Sequence, residues 1–549
     1  MRTAFTKIAA LIVAVIVCAA FSGCSFLSDW LQDFSGDKTS YSKAVGLYSK
    51  TGDYHKMLAA MEKADQELAA GNDYQKFKDY FEQVEQYYMY FVNDYQVKYV
   101  NYCMYGKEAD AAAYEDYYSK YLEASKWVDN IQHALMYSAF RENVYPDMSD
   151  EEIIAQIGDK KPDEYYGYLD QMKQMETEIQ SYDQSKLKKV AKEKYVEYVK
   201  VANALAKSVG YNDYMDYSYE NVYGRDYSPA DTVSFGEYVE EYVWQRYQAL
   251  SDELSGKLNT LQWKNASDYN LLARYFEGNG FDNYMNEFEA FARFLGGKYE
   301  DRYDYLWKNK SGYYFISNET NAFNGAYTDM FYALGEPYVF FGSGYTDIST
   351  IVHEFGHYYV FSQTTMEQCY DLDEIQSQGG EMLFLQYFLQ KNDLSAELKA
   401  CMEEYVLVDA YLYISLCAMV NEFERAVYKA EEINADTIDQ ALKSTYTLFG
   451  GKGYVQQNVD FDMYWKLVCM QAPCYYISYS TSLLSSLEIG ELAKKDLQSG
   501  KRAYLNVCEY DYENLSYLEV LDGAGLSNPF EEQSFRKIFG GKDDNEIVF

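Results

Sequence analysis

The chain has 549 residues, of which 48% are hydrophobic and 24% are charged, so it can bury a large core and is not a disordered protein. Its 86 acidic residues outnumber 48 basic ones, and the formal net charge of −38 would repel the phosphate backbone of nucleic acids. Only six prolines interrupt long stretches with helical periodicity. We therefore exclude nucleic acid as a partner and predict a mainly α protein with two or more domains.

The first residues have the pattern of an export signal. Arg2 and Lys7 give a positive start, and the apolar run Ile8–Ala20 is too short to cross a bilayer comfortably as a helix. The run ends in Phe-Ser-Gly-Cys, which resembles the lipobox of bacterial lipoproteins. This resemblance implies a signal peptide at residues 1–23 and a lipid on Cys24 that anchors the exported protein to the outer face of the cell membrane. An ordinary signal peptide with a free product is the alternative.

The segment after the predicted signal peptide resembles a tether that leads into the folded part. Residues 24–53 mix serine, glycine, aspartate and lysine and are predicted to form a tether. From residue 54 to about residue 309 the hydrophobic period indicates one helix after another. We predict an N-terminal helical domain at residues 54–195 and a second domain at residues 196–549.

Two helix boundaries can be read directly in the first half of the chain. Ser149 followed by Glu152 forms a capping box, with Ser149 as the N-cap of a helix. A second helix is predicted over Leu187–Val209, and Gly210 ends it.

Two short segments predict β-strands. Residues 312–317 and 337–341 are rich in aromatic and β-branched residues and are bounded by glycine or proline. Because proline at the start of a strand suits a sheet edge, we predict that residues 337–341 form an edge that can pair with an extended peptide. Gly342 and Gly344 would let the following loop approach that peptide closely. A purely structural sheet is the alternative.

The most informative motif is His-Glu-x-x-His at residues 353–357, in a chain with only four histidines. His353 and His357 are four residues apart, so on a helix their side chains project from one face and can hold a zinc ion. Glu354 is rotated by about 100° around the axis and can reach a water on the metal as a general base. The apolar residues around the motif recur at helical spacing and form one stripe: Ile348, Ile351, Val352 and Phe355.

A catalytic zinc needs three protein ligands and one open position. No histidine follows His357, so a third ligand further along the chain must be acidic or a cysteine. The next predicted helix carries a polar face that includes Glu374 and Glu381. The candidates that the residues leave open are Glu374, Asp371, Asp373 and Glu381, with Cys369 as a weaker one.

The sequence HEFGH, followed by a helix with the pattern Glu-x-x-Ser-x-x-x-Glu, resembles the thimet oligopeptidase and oligoendopeptidase F family of zinc metallopeptidases. The resemblance covers about residues 195–535. It implies that Glu374 is the third zinc ligand, and a shorter loop around Thr364–Tyr370 would absorb the shorter spacing in this chain. It also implies two helical lobes around a deep cleft, with a small β-sheet beside the zinc-binding helix. Such a cleft would admit short unfolded peptides.

A tyrosine-rich segment near the C-terminus is similar to the segment of that family that faces the metal. Tyr475 and Tyr479 are four residues apart, so both hydroxyls can reach one place and donate hydrogen bonds to an oxyanion. The family carries a histidine a few residues earlier. Here that position falls at Cys469 or Met470, so the histidine is missing.

The sequence therefore predicts a zinc-dependent metalloendopeptidase that hydrolyses short peptides. It is expected to be a monomer with one Zn²⁺ per chain, attached to the membrane through a lipid on Cys24. A catalytically weak metal- or peptide-binding surface lipoprotein with the same fold is the alternative, and the missing histidine favours it. An adhesive lipoprotein without metal would require an accidental His-Glu-x-x-His. The predicted metal ligands are His353, His357 and Glu374, and the predicted catalytic residues are Glu354, Tyr475 and Tyr479.

Overall fold

The computed structural model describes residues 54–540, except 106–110, 181, 261–265, 318–322, 324, 332–333, 365–368 and 513. The predicted signal peptide, the tether and Cys24 lie outside the described residues, as does most of the loop between Thr364 and Tyr370. Within the described part the chain is mainly helical and contains a small three-stranded sheet. This confirms the predicted fold class.

The chain divides into two compact units, and neither is continuous in sequence. The first contains the described residues up to Gln180, together with Ala204–Tyr211 and Tyr305–Ser343. The second contains the residues between these segments and the described chain from Gly344 onwards. The predicted boundary at residues 195–196 falls inside the helix Gln184–Ser208. The division into domains 54–195 and 196–549 stays a prediction.

The first unit begins with six helices in its described residues. Helix α5 begins with the predicted capping box: Ser149 accepts from the Glu152 N–H, and the Glu152 carboxylate accepts from the Ser149 N–H. These bonds satisfy two N–H groups that the start of a helix leaves without partners. The helices are α1 (Tyr54–Ala70), α2 (Tyr74–Tyr105), α3 (Ala111–Met136), α4 (Arg141–Val144), α5 (Asp150–Ile157) and α6 (Asp163–Gln180).

The sheet of the first unit consists of β1 (Tyr313–Ile316), β2 (Ala326–Phe331) and β3 (Glu336–Phe341), in the order β1-β3-β2. Strand β3 pairs in parallel with β1 and antiparallel with β2. The prediction of an edge strand at residues 337–341 is therefore wrong, because β3 is the central strand. Pro337 is tolerated there because the pairing with β1 begins one residue later, at Tyr338, so its missing N–H falls outside that ladder.

Gly342 follows the central strand directly and is needed for a contact inside the unit. Its N–H donates to the carbonyl of Gly325 at 2.8 Å. A Cβ at this position would lie 2.1 Å from the carbonyl oxygen of Phe323. The glycine thus allows close backbone contact within the sheet region. The approach of a bound peptide to Gly342 and Gly344 stays a prediction.

One face of the sheet is covered by the C-terminal part of α2. Two bonds tie the segments together: Ser317 Oγ donates to the carbonyl of Met104 at 2.6 Å, and the Phe323 N–H donates to the carbonyl of Cys103 at 2.9 Å. Side chains on one face of a strand are two residues apart. The shared apolar cluster follows that period in the strands, and its members are Val97, Tyr99, Val100, Cys103, Met104, Tyr313, Phe315, Phe331, Tyr338 and Phe340.

The second unit is helical in its described residues. Helix α7 contributes its last five residues, 204–208, to the first unit. A short π-helical turn lies at Val239–Trp244, and another at Asp304–Lys308 begins at the last residue of the segment Asn212–Asp304 and continues into the first unit. The helices before the sheet are α7 (Gln184–Ser208), α8 (Tyr214–Asn221), α9 (Asp231–Tyr238), α10 (Gln245–Thr260), α11 (Ala266–Glu277), α12 (Gly280–Asn283), α13 (Met285–Leu295) and α14 (Gly297–Tyr303).

The helices after the sheet contain both segments that the metal prediction uses. Helix α16 packs against α15, α21 and α22, and α21 also packs against α17. These helices are α15 (Ile348–Phe361), α16 (Tyr370–Lys391), α17 (Ala396–Tyr428), α18 (Ala435–Leu448), α19 (Lys452–Asn458), α20 (Phe461–Val468), α21 (Ile477–Lys495), α22 (Leu497–Cys508), α23 (Tyr517–Ala524) and α24 (Glu532–Phe539).

Among the described residues, α17 is the one helix long and apolar enough to cross a membrane. More than half of its most apolar stretch, 56%, is buried inside the protein. It also buries polar side chains, including Asn421, Glu422 and Glu424. Its apolar character is therefore explained by its place in the core of the second unit.

Candidate metal centre

Helix α15 carries the His-Glu-x-x-His motif and starts in a way that its sequence dictates. Asp347 is the N-cap, and its carboxylate accepts from the Thr350 N–H at 3.0 Å. An aspartate at this position also interacts favourably with the positive end of the helix dipole. The predicted apolar stripe is fully buried, whereas His353 and His357 are partly exposed on another face. Glu354 is buried, with 5% of its surface exposed.

Gly356, between the two histidines, sets the distance between α15 and α16. A Cβ at this position would lie 2.3 Å from the carbonyl oxygen of Gln376 on α16. Tyr504 on α22 donates to the same carbonyl at 2.9 Å and fixes that turn of α16. The two helices therefore touch through backbone atoms, which brings Glu374 towards the histidines.

The structure brings His353, His357 and Glu374 together in a group that could hold a metal ion. One ligand atom from each lies within 4.8 Å of the other two. The distance between His353 Nε2 and Glu374 Oε2 is 3.9 Å. Tetrahedral ligands with bonds of about 2.0–2.1 Å are about 3.4 Å apart, so this pair needs a shift of about half an ångström. Two imidazoles and one carboxylate are also a donor set that zinc accepts.

A second carboxylate orients His353. Glu381 Oε1 lies 2.7 Å from His353 Nδ1, and Ser349 Oγ donates to the other oxygen of Glu381. A partner on Nδ1 fixes the ring and leaves Nε2 for a metal. Burial lowers the pKa of His353, but the bond to Glu381 and the charges of Glu381, Glu354 and Glu374 outweigh it and raise the pKa to about 9. A metal ion must therefore displace a proton from His353 at neutral pH.

His357 has a different environment. Burial and the charge of His353 lower its pKa well below the usual value for histidine, so the ring is neutral. Its Nδ1 is buried and has no hydrogen-bond partner among the described residues. A neutral imidazole is the form that binds metal, so His357 could bind a metal ion without first releasing a proton.

Glu374 is held by hydroxyl groups. The hydroxyl of Tyr475 donates to Glu374 Oε1 at 2.5 Å, and Ser377 Oγ lies 3.4 Å from Oε2. Burial raises the pKa of Glu374, while His353 and hydrogen bonds from Tyr475, Tyr479 and Ser377 oppose the rise. Because the Tyr475 hydroxyl is bonded to Oε1 of Glu374, Oε2 is the oxygen that faces His353.

The other candidate ligands have different partners. Asp371 is fully buried, and its carboxylate pairs with Arg225 Nε at 3.2 Å and accepts from Tyr227 at 2.8 Å and from Ser478 at 2.7 Å. The thiol of Cys369 lies 3.7 Å from the same carboxylate. Glu381 contacts the outer nitrogen of His353. Among the described residues, Glu374 is the acidic residue grouped with both histidines.

Arg225 is a site residue that the sequence analysis did not identify. Its guanidinium donates to the carbonyls of Cys474 at 2.9 Å and Tyr475 at 3.1 Å, and to Ser478 Oγ at 2.8 Å. Cys474 has a φ of +62°, which is uncommon for a residue other than glycine. Arg225 thus holds the turn that places Tyr475 against Glu374. The pattern Arg-Asp-Tyr at residues 225–227 gave no indication of this contact.

The predicted tyrosines lie together, although Tyr475 precedes α21 and Tyr479 lies in its first turn. Their ring centroids are 4.9 Å apart. Tyr475 is buried, with 6% of its surface exposed, and Tyr479 is partly exposed. The hydroxyl of Tyr475 contacts a candidate metal ligand, so its position suits holding Glu374.

The position of the missing histidine is filled by buried groups. Cys469 and Met470 are fully buried at the end of α20. Burial raises the pKa of the Cys469 thiol well above its usual value, and the nearby Glu424 adds to the rise. An oxygen of the Glu424 carboxyl group also accepts from the Cys474 N–H at 2.9 Å. Neither Cys469 nor Met470 replaces a histidine chemically.

The sequence matches no family model and no curated protein. Solved structures do match. A Bacillus anthracis strain Ames protein assigned as an oligoendopeptidase F is 16% identical, with a TM-score of 0.61 and coverage of 89% of this chain and 95% of its own. A second protein with that assignment is 15% identical, with a TM-score of 0.64 and coverage of 89% and 96%. PZ peptidase A, solved with an inhibitor, is 16% identical, with a TM-score of 0.65 and coverage of 89% and 96%. This chain therefore has an oligoendopeptidase F-like fold.

Proposed function

We propose that this chain, with the fold of oligoendopeptidase F-like peptidases, is a zinc metallopeptidase that hydrolyses internal bonds of short peptides. The observation that carries the proposal is the grouping of His353, His357 and Glu374 within 4.8 Å, with Glu354 between the histidines in sequence. The ligand set is that of a catalytic rather than a closed structural zinc site, because it has three protein ligands. Zinc bound there would polarise the scissile carbonyl and lower the pKa of a water.

Each neighbouring residue has a defined task in this proposal. Glu354 accepts the proton of the attacking water and delivers it to the leaving amine. Glu381 holds the Nδ1 side of His353, and Tyr475 holds Oε1 of Glu374. In this proposal the hydroxyls of Tyr475 and Tyr479 donate to the oxyanion when they exchange their hydrogen bonds to Glu374 for bonds to the substrate.

The substrate class rests on the fold. The matched structures include proteins assigned as oligoendopeptidases and one named as a peptidase. We propose short unfolded peptides as substrates, which the monomeric chain would receive outside the cell. Residues 1–23 would direct export, and a lipid on Cys24 would anchor the chain to the outer face of the membrane.

A purified soluble form that begins after Cys24 tests the activity. It should cleave members of a mixed peptide library, lose activity with a chelator and regain it with added zinc. The variant His353→Ala, His357→Ala should contain no zinc. Full zinc occupancy in that variant, or cleavage that a chelator does not affect, would contradict the proposal.

One observation favours a second function, that of a metal- or peptide-binding lipoprotein with little activity. The family's histidine position is occupied by the buried Cys469 or Met470. A hydrogen-bond donor to the transition state would then be missing. A chain that binds zinc and peptides but cleaves no member of the library would support this second function.

A further inference from the structure

A cavity of about 580 Å³ lies in the second unit, formed by the start of α7 and by α18, α19 and α20. It shares no lining residue with the candidate metal centre. Six lysines and three acidic residues line it, whereas acidic residues outnumber basic ones by 86 to 48 in the whole chain. The lysines are Lys188, Lys189, Lys192, Lys443, Lys452 and Lys466.

Ion pairs between lining residues neutralise only part of this positive charge. Lys192 pairs with Asp439 at 2.5 Å, and Lys466 pairs with Asp462 at 2.9 Å. In the described part of the chain Lys188, Lys189 and Lys443 make no ion pair, and all three are exposed. Six positive and three negative groups leave a local charge of about +3.

Lys466 gives the cavity a fixed positive group. It is buried, with 9% of its surface exposed, and its ammonium lies 5.5 Å from the ring centroid of the buried Trp465. Its partner Asp462 is half exposed. Removing an ammonium from water is costly unless it is paired, and an anion in the cavity would give Lys466 a second partner.

We propose that this cavity binds a small polyanion that carries two or more phosphate groups. Lysine ammonium groups bind phosphate as compact charges with three donors each. The volume lies in the range of about 300–1,000 Å³ that is usual for small-molecule sites. Long polyanions are disfavoured because the net charge of −38 repels them outside the cavity.

Fructose 1,6-bisphosphate is a suitable probe, with fructose as the uncharged comparison and tetraglutamate as the carboxylate comparison. Titration calorimetry on the purified mature chain should detect binding of the bisphosphate and none of fructose. The variant Lys188→Ala, Lys189→Ala, Lys443→Ala should weaken that binding at least about tenfold, because three ammonium contacts are lost.

The matched control is Lys200→Ala, Lys391→Ala, Lys495→Ala, which changes the net charge equally at exposed positions outside the cavity. The control should keep its affinity for the bisphosphate within about twofold of the unchanged protein. Without ligand, both variants should have the melting temperature of the unchanged protein, because all six substituted lysines are exposed. Absence of bisphosphate binding would overturn the proposal. An equal loss in the control would overturn it too, as would tetraglutamate binding through the same three lysines with equal affinity. None of these outcomes depends on zinc content or peptide cleavage.

Discussion

The buried carboxyl group of Glu424 should make the stability of the second unit depend on pH. Burial raises the pKa of Glu424 from 4.5 to about 8, although the Cys474 N–H, Arg225 and Cys469 oppose the rise. In the folded protein the group is thus protonated up to about pH 8, whereas in the unfolded chain it ionises near its ordinary pKa. The unfolded chain loses this proton first as the pH rises. The free energy of unfolding should therefore fall between about pH 4.5 and pH 8, and level off above that.

The size of the effect follows from the two pKa values. One pKa unit corresponds to about 1.36 kcal/mol. At about pH 5 the unfolded chain is already partly ionised, so the contribution of Glu424 between about pH 5 and pH 8 is roughly 3 kcal/mol. Because a typical domain is stable by only about 5–15 kcal/mol, such a change is readily measured.

Glu424→Gln isolates this contribution, because glutamine has the shape of the protonated side chain but does not titrate. Urea unfolding of both proteins, followed by tryptophan fluorescence between pH 5 and pH 8, should show the variant gaining roughly 3 kcal/mol relative to the unchanged protein as the pH rises. Glu432→Gln is the control, since Glu432 is exposed. Parallel curves for Glu424→Gln and the unchanged protein would refute a raised pKa at this position.

Four further predictions concern the candidate site and the anchor. Glu354→Gln should keep its zinc and slow cleavage of a fluorogenic peptide by about 10²–10⁴-fold, and equal rates would refute its role as the base. Glu381→Ala should lower the affinity for zinc by about 10–100-fold, and Glu374→Ala should lower it further. Competition with a chelator measures both affinities, and the reverse order would contradict the ligand assignment. Arg225→Lys keeps the charge beside Asp371 but lacks the planar guanidinium, so the free energy of unfolding measured in urea should fall by roughly 2–3 kcal/mol. An unchanged unfolding midpoint would contradict the proposal that Arg225 stabilises the turn before Tyr475. Cys24→Ser should move the protein out of the membrane fraction, and its retention there would refute lipid attachment.

The two histidines could be predicted because their relation is local. Four residues of helix place His353 and His357 on one face, whatever the rest of the chain does. The third ligand depends on how two helices meet, so the sequence alone left four acidic residues open. The carboxylate of Asp371 is paired with Arg225, which is 146 residues away in sequence. A contact over that separation leaves no periodic signal in either segment.

The strands illustrate the same limit in another form. Composition identified the segments of β1 and β3, because aromatic and β-branched residues suit a half-buried pleated surface. Pro337 suggested an edge, but a strand is central or at an edge according to its neighbours. The pairing of β2 with β3 decides that question, and residues 326–331 give no strong strand pattern.

The apolar cluster shared by α2 and the sheet has a consequence for the way the protein acquires its structure. Residues 97–104 are synthesised more than two hundred residues before their partners at 313–340. Closing so long a loop is entropically unfavourable until the contacts form, and contacts between distant residues slow folding. A fragment that ends at residue 195 would leave the aromatic face of α2 open to solvent and prone to aggregation. The first unit can therefore be completed only after residue 343 has been synthesised.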